Sequence, residues 1–387
     1  MKDKIILIFC FLWSFVVLTG CSKDDVTEVP EESKSDVQAD IPQVDNAITD
    51  FMNAYSVPGV SVAIAKNDKL VYVKSYGLAD KEENKAVTNK SLFRLASISK
   101  TITSVAVMKL LEDGKLSLKQ TVFGENGILG TTYGTLPYGQ YIKEITVEQL
   151  LHHTCGGWGN NSNDPMFMYP SMSQAELISW TLGNLPLAYK PGTHYDYSNF
   201  GYCVLGRVIE KLSGQAYEQY VQKNILEPIG ISDMQIAGNT LAERKSNEVV
   251  YYGQGGENPY NYNVARMDSH GGWISSATDL ARLVVYIDGF NGKPDILSSS
   301  TIKTLTTPSV VYANYACGIA VNSNNNWWHS GSIPGTFTEF VRASNGFCWV
   351  ILCNTRNTAA SFGNAFDAVI WKAVNDNTTV WQNIDQF

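Results

Sequence analysis

The sequence predicts an α+β fold: an antiparallel sheet built from N- and C-terminal segments, flanked by helices, with a mostly helical region inserted between its two halves. Three observations carry this. Period-two alternation marks residues 60–66 with 70–76 and again 336–343 with 347–353, each pair joined by a polar turn. Between these hairpins apolar residues recur mostly at steps of three and four. No repeat of fixed period points to a solenoid or propeller.

Taken in order, Val44, Ile48, Phe51, Met52 and Tyr55 predict a helix over 44–55 that ends before Pro58-Gly59. The first hairpin follows, turning at Asn67-Asp68. After Phe93–Lys100 the positions Ile102, Val105, Ala106, Met108 and Leu111 predict a buried helix stopped by Gly114, with Ser97 at its start. Thr146 is the expected N-cap of a short helix that breaks at Cys155–Gly159, and residues 160–172 read as a loop. Helices are expected over 173–182, 200–212 and 216–225, with a Pro-bounded connection at 185–192. Residues 247–264, rich in Tyr, Asn and Gly, read as a long aromatic loop of the kind that serves as a lid. The stretch Gly271–Leu280 reads as the start of a helix reaching about residue 287. Trp327–Gly331 closes a strand, Asn345-Gly346 turns the last hairpin, and 362–374 is a closing helix.

The composition, 44% apolar and 17% charged over 387 residues, is that of an ordinary globular protein with a large core. A formal charge of −8 with no basic block excludes nucleic acid and anionic membrane surfaces as expected partners. Residues 1–20 read as a targeting segment: Lys2 and Lys4, the apolar run Ile5–Leu18, then Leu18-Thr19-Gly20-Cys21, which resembles a bacterial lipobox. Cleavage before Cys21 would lipidate that cysteine and remove two Lys and one Asp. That leaves 27 basic against 36 acidic residues, a charge of about −9. Ser22-Lys23-Asp24-Asp25 resembles an acidic surface-export signal of Gram-negative lipoproteins, and residues 21–42 read as a flexible acidic tether. The expected location is therefore the bacterial cell envelope, with a lipid anchor in the outer membrane and the domain 43–387 beyond it. Within that domain the α/β part is expected at about 43–96 and 270–387 and the helical part at about 97–269.

Cys155, Cys203, Cys317, Cys348 and Cys353 are an odd set without C-x-x-C spacing, so they read as buried apolar residues. The five His residues, 152, 153, 194, 270 and 329, lack any metal-ligand spacing, and neither metal nor cofactor is expected. Ser97-x-x-Lys100 is different in kind. Residues three apart on a helix share a face, which brings the Lys100 amine within reach of the Ser97 hydroxyl. The free N–H groups of the first turn favour negative charge at the same spot. This is the outline of an activated nucleophile, weak as a lone tetrapeptide.

Two further clusters, Tyr197-Ser198-Asn199 before a helix and His329-Ser330-Gly331 at a strand end, complete a set of three. Together with Leu150–Gly157 and Gly271–Ser275, they resemble the serine β-lactamase and penicillin-binding-protein superfamily, whose motifs are Ser-x-x-Lys, Tyr-x-Asn and Lys-Thr-Gly. The resemblance spans nearly all of 43–374 and is closest to the class C β-lactamase-related branch, which includes esterases, D-aminopeptidases and D-Ala-D-Ala peptidases. It implies a β-lactamase/transpeptidase-like fold and a serine hydrolase acting on a small-molecule or peptide substrate. Ser97 would form an acyl-enzyme, with neutral Lys100 or the Tyr197 phenolate as base. Asn199 would offer its amide to the substrate's own amide or to Lys100, Ser330 would donate to a substrate carbonyl or carboxylate, Gly331 would let the substrate backbone approach, and the N–H groups of Ser97 and Ser332 would form the oxyanion hole. His329 departs from the usual Lys. A mostly neutral imidazole demands a substrate carboxylate less than a permanent cation does. The reading is therefore an ester- or amide-cleaving hydrolase rather than a true β-lactamase, with a non-catalytic peptide- or muropeptide-binding protein as the contrasting class.

Overall fold

The computed structural model describes residues 38–160 and 164–387. The leader, Cys21 and most of the expected tether lie outside the described residues. The strands are β1 (Gly59–Lys66), β2 (Lys69–Asp80), β3 (Lys85–Ala86), β4 (Phe93–Arg94), β5 (Gln235–Ile236), β6 (Tyr252–Gly253), β7 (Trp273–Ser275), β8 (Ala320–Val321), β9 (Trp327–Ile333), β10 (Thr336–Arg342), β11 (Phe347–Cys353) and β12 (Thr355–Arg356). The main sheet has seven strands in the order β3-β2-β1-β11-β10-β9-β8. Its seam is the antiparallel pairing of β1 with β11, from Val60 opposite Cys353 to Lys66 opposite Phe347. The two hairpins, far apart in sequence, are thus one layer.

Local chemistry explains the hairpins. Asn67 and Asp68 both take positive φ, as the two central residues of a tight hairpin turn must. At the other tip Gly346 has φ +89°, and a Cβ there would lie 2.5 Å from Asn67 Oδ1, so the two turns pack against each other. Alternation along the central strands divides the core. Val60, Val62, Ile64, Trp349 and Ile351 belong to an outer cluster with helices Pro42–Tyr55 and Phe362–Val374. There the ring of Phe51 lies 5.3 Å from that of Phe362 and 5.4 Å from that of Phe366. Burying each such ring stabilises the fold by about 2–3 kcal/mol. Ala63, Ala65, Val350 and Leu352 belong to the inner cluster, shared with helices Ser99–Glu112 and Ala277–Val285.

Several elements differ from the sequence reading. Residues 38–42 do not belong to a loose tether: Gln38 Oε1 accepts from the Val73 amide at 2.6 Å, Ile41 is buried and the first helix already begins at Pro42. The region 160–172 contains a short helix, Pro165–Met168, capped by Asp164, whose side chain accepts from the Met166 amide. The helix expected over 216–225 is α-helical only at Tyr217–Val221 and continues as a π-turn over Gln222–Leu226. The helix expected from about 271 begins at Ala277, because Trp273–Ser275 is β7, held between β4 and β5, and Ser276 caps the helix by accepting from the Asp279 amide. The 247–264 stretch is fastened down. Arg94, fully buried, donates to the Pro259 carbonyl at 2.8 Å, lies 3.9 Å from Glu248 Oε1 and sits over the Tyr251 ring. A buried guanidinium must be paired and hydrogen-bonded, and this segment supplies the partners.

Candidate active site

The chain enters the site through β4. The Leu95 amide donates to the Trp273 carbonyl at 2.8 Å, and Thr336 and Thr338 on β10 donate their hydroxyls to the carbonyls of Arg94 and Leu95 at 3.0 and 2.9 Å. With its approach clamped, Ala96 takes a left-handed φ of +46°. That conformation costs a non-glycine residue about 1 kcal/mol. Ser97 follows on a single 3-10 turn, Ala96–Ile98, which runs into helix Ser99–Glu112. Gly331 packs against this turn: a Cβ there would lie 2.0 Å from the Leu95 carbonyl oxygen and 2.5 Å from Thr338 Oγ1. Its lack of a side chain is required by the protein's own backbone, a stronger demand than the substrate approach expected from sequence.

Lys100 is fully buried, and its Nζ has three partners: Ser97 Oγ at 3.1 Å, Asn199 Oδ1 at 2.7 Å and the His270 carbonyl at 2.9 Å. Burial lowers its pKa to about 7, against the opposing pull of the Asp164 carboxylate. Tyr197 comes from the loop before helix Asn199–Ser213, and its ring centre lies 4.8 Å from Lys100 Nζ. Desolvation pushes its phenol above the ordinary range, while a hydrogen bond with Ser97 pulls the other way. The loop is fixed from behind by His153, whose Nδ1 accepts from the Ser198 amide at 3.0 Å and whose ring lies 4.2 Å from that of Tyr197. Burial, then Lys100, keeps His153 neutral.

Sequence reasoning missed Asp164 and Asn160. Asp164 Oδ2 accepts from Asn199 Nδ2 at 2.6 Å and Asn160 Oδ1 accepts from the same group at 3.1 Å. The Asn199 side chain is therefore committed at both ends, its oxygen to Lys100 and its nitrogen to these two. The pair Asp164-Pro165 carries a helix-start signal, a capping Asp before Pro at the first helical position. Nothing in the sequence names Asn199 as its partner.

His329 is buried and neutral. Its Nδ1–H donates to the Ser330 carbonyl at 2.7 Å, so Nε2 accepts from the Tyr315 hydroxyl at 2.9 Å. Burial and then Lys100 lower its pKa to about 3. Beside Ser97 lies a small cavity of about 80 Å³, lined by Asn160, Phe167, Tyr197, Asn199 and Ser332 among others. Ser330 lies elsewhere. Its side chain, expected to contact substrate, lines a different cavity on the outer face of the sheet, because strand alternation turns it away from His329 and Gly331. Residues 247–264 contribute nothing to the Ser97 cavity among the described residues; of the expected loop 160–172, Asn160 and Phe167 do. All five described cysteines are buried and free.

The family model described as Beta-lactamase matches residues 44–370. The chain belongs to the beta-lactamase family. This is a family of serine hydrolases that includes peptidases. Among curated relatives, a putative D-alanyl-D-alanine carboxypeptidase of Escherichia coli (strain K12) is 26% identical over 337 residues, covering 76% of this chain and 75% of that protein. The octameric penicillin-binding protein homologue from Pyrococcus abyssi superposes with a TM-score of 0.69 at 24% identity, covering 86% of this chain and 77% of that one. The D-amino acid amidase from Ochrobactrum anthropi SV3 gives 0.70 at 19% identity, covering 85% and 98%. These structural likenesses bear on the fold: a mixed helix and antiparallel-sheet architecture of the β-lactamase/transpeptidase type, as the motifs imply.

Proposed function

We propose that this protein is a lipid-anchored cell-envelope serine hydrolase that cleaves an ester or amide through an acyl-enzyme on Ser97. The single observation that carries the reading is the 3.1 Å contact of Lys100 Nζ with Ser97 Oγ, made by an amine whose pKa is lowered to about 7. A neutral amine has two N–H groups and one lone pair. Asn199 Oδ1 and the His270 carbonyl accept the two N–H groups, which leaves the lone pair for the Ser97 hydroxyl. Lys100 is then the base that takes the Ser97 proton, and Tyr197 relays it: the phenol, kept protonated by burial, gives its proton to the leaving group and is reprotonated by the Lys100 ammonium. The bias from 10.5 to about 7 corresponds to roughly 5 kcal/mol favouring the neutral amine.

The scissile carbonyl would sit in the cavity beside Ser97 with its oxygen toward the amides of Ser97 and Ser332. A cavity of only about 80 Å³ favours a small acyl group. Neutral His329, with both ring nitrogens engaged, supports a substrate without an obligatory carboxylate at that position. The relatives named as D-alanyl-D-alanine carboxypeptidases make a D-amino-acid peptide or amide the first substrate class to try. The test is turnover of p-nitrophenyl acetate, an acyl-D-Ala-D-Ala peptide and nitrocefin by the purified full chain. A higher kcat/KM for the ester or peptide than for nitrocefin is expected. A preference for nitrocefin would make the protein a β-lactamase, and no turnover of any would favour a peptide-binding role. Membrane partitioning that is lost in Cys21→Ala would support the anchor.

A further inference from the structure

Strand β9 has a second face. His329 faces Tyr315 and Gly331 faces the Leu95 carbonyl, whereas Trp328 and Ser330 look outward, toward helix Phe362–Val374. On that side Ser330 is paired directly with Glu339 of β10 and Trp328 with Val341. These outward residues and the helix line an open cavity of about 430 Å³, within the size range of small-molecule sites and distinct from the one at Ser97.

Its walls have an unusual chemistry. Three aromatic residues, Trp328, Phe337 and Trp371, share them with two carboxylates, Glu339 and Asp367, and among the described residues no Lys, Arg or His lines the cavity. Glu339 is only 4% exposed, and its Oε2 has no hydrogen-bond partner among the described residues. Burial raises its pKa well above the ordinary value, and the like charge of Asp367 raises it further. Asp367 is itself raised by burial, partly offset by a hydrogen bond with Trp371. Ionising a buried carboxyl without a counter-charge is costly, and a cation supplied from outside would relieve that cost by pairing with the carboxylate. Aromatic rings attract cations through their π faces and suit an apolar body, whereas a hydrated metal ion wants more oxygen ligands than two carboxylates give. Among the described residues no group of three or more His, Cys, Asp or Glu is placed to hold a metal.

We infer that this outer-face cavity is a binding site for a small organic ammonium ion, an amine on an apolar body, held by Glu339 and Asp367 between Trp328 and Trp371. The site is independent of the chemistry at Ser97.

Isothermal titration of the full chain with benzylamine tests it, with benzyl alcohol as the uncharged counterpart. Saturable one-site binding of the amine and none of the alcohol is expected, and Glu339→Gln, close in shape, should weaken it by about tenfold or more. Asp367→Asn, on the helix rather than the sheet, should do the same and serves if Glu339→Gln does not fold. Absence of amine binding, equal binding of the alcohol, or a loss smaller than about tenfold in the folded variants would overturn the inference.

Discussion

Gly331 lies so close to Leu95 that a Cβ on it would come within 2.0 Å of the Leu95 carbonyl oxygen. The strand that carries His329 is thereby pressed against the backbone two residues before Ser97, and the left-handed Ala96 turn is held between β9, β10 and β7. Gly331→Ala must push this turn aside. We expect a loss of about 2 kcal/mol or more of stability, read as a lower Tm, and a fall in kcat/KM larger than the loss of folded protein explains.

The Lys100 assignment predicts a pH profile. With its pKa lowered to about 7, the amine is protonated and idle below that pH and becomes a free base above it. Measured kcat/KM should therefore rise with pH through about 7 and level off. His329, lowered to about 3, should add no second titration between pH 5 and 8. Lys100→Arg, protonated throughout, should reduce kcat/KM by about a thousandfold or more with no rise near neutrality.

Asp164 acts through others. Its carboxylate accepts from Asn199 Nδ2 at 2.6 Å, and its charge raises the Lys100 pKa. Asp164→Asn removes that charge, so the rising limb of the kcat/KM profile should move to lower pH. A merely structural role would lower the rate and leave the limb where it was.

The small cavity beside Ser97 predicts selectivity for acyl size. Among p-nitrophenyl esters, acetate should exceed hexanoate in kcat/KM by about a hundredfold, since each excess methylene must displace Phe167 or Asn160. Phe167→Ala should narrow that gap.

The three motifs were legible because each relies on short-range geometry: three residues along a helix, a cap before a helix, a strand end. The hairpins and the closing helix were legible for the same reason, through periods of two and 3.6. Asp164, Asn160 and Tyr315 were not, since each reaches its partner from irregular chain with no periodic signal. The short β7 was hidden by its neighbour, Ser276 with Asp279, a strong helix-start signature next to three residues whose strand character comes from pairing with Phe93-Arg94. Strand alternation alone could have separated Ser330 from His329, because adjacent residues of a strand face opposite sides. Arg94 shows the opposite limit. Its burial fastens 247–264 in place, and a sequence does not say which loop will close over a buried guanidinium.

The central claim is that Ser97 is an activated nucleophile. Intact-protein mass after incubation with a fluorophosphonate tests it most directly, with Ser97→Ala alongside. A single adduct on the wild-type chain that is absent from the variant is the predicted result. A folded wild-type protein that gains no adduct, or an adduct that persists in Ser97→Ala, would contradict it.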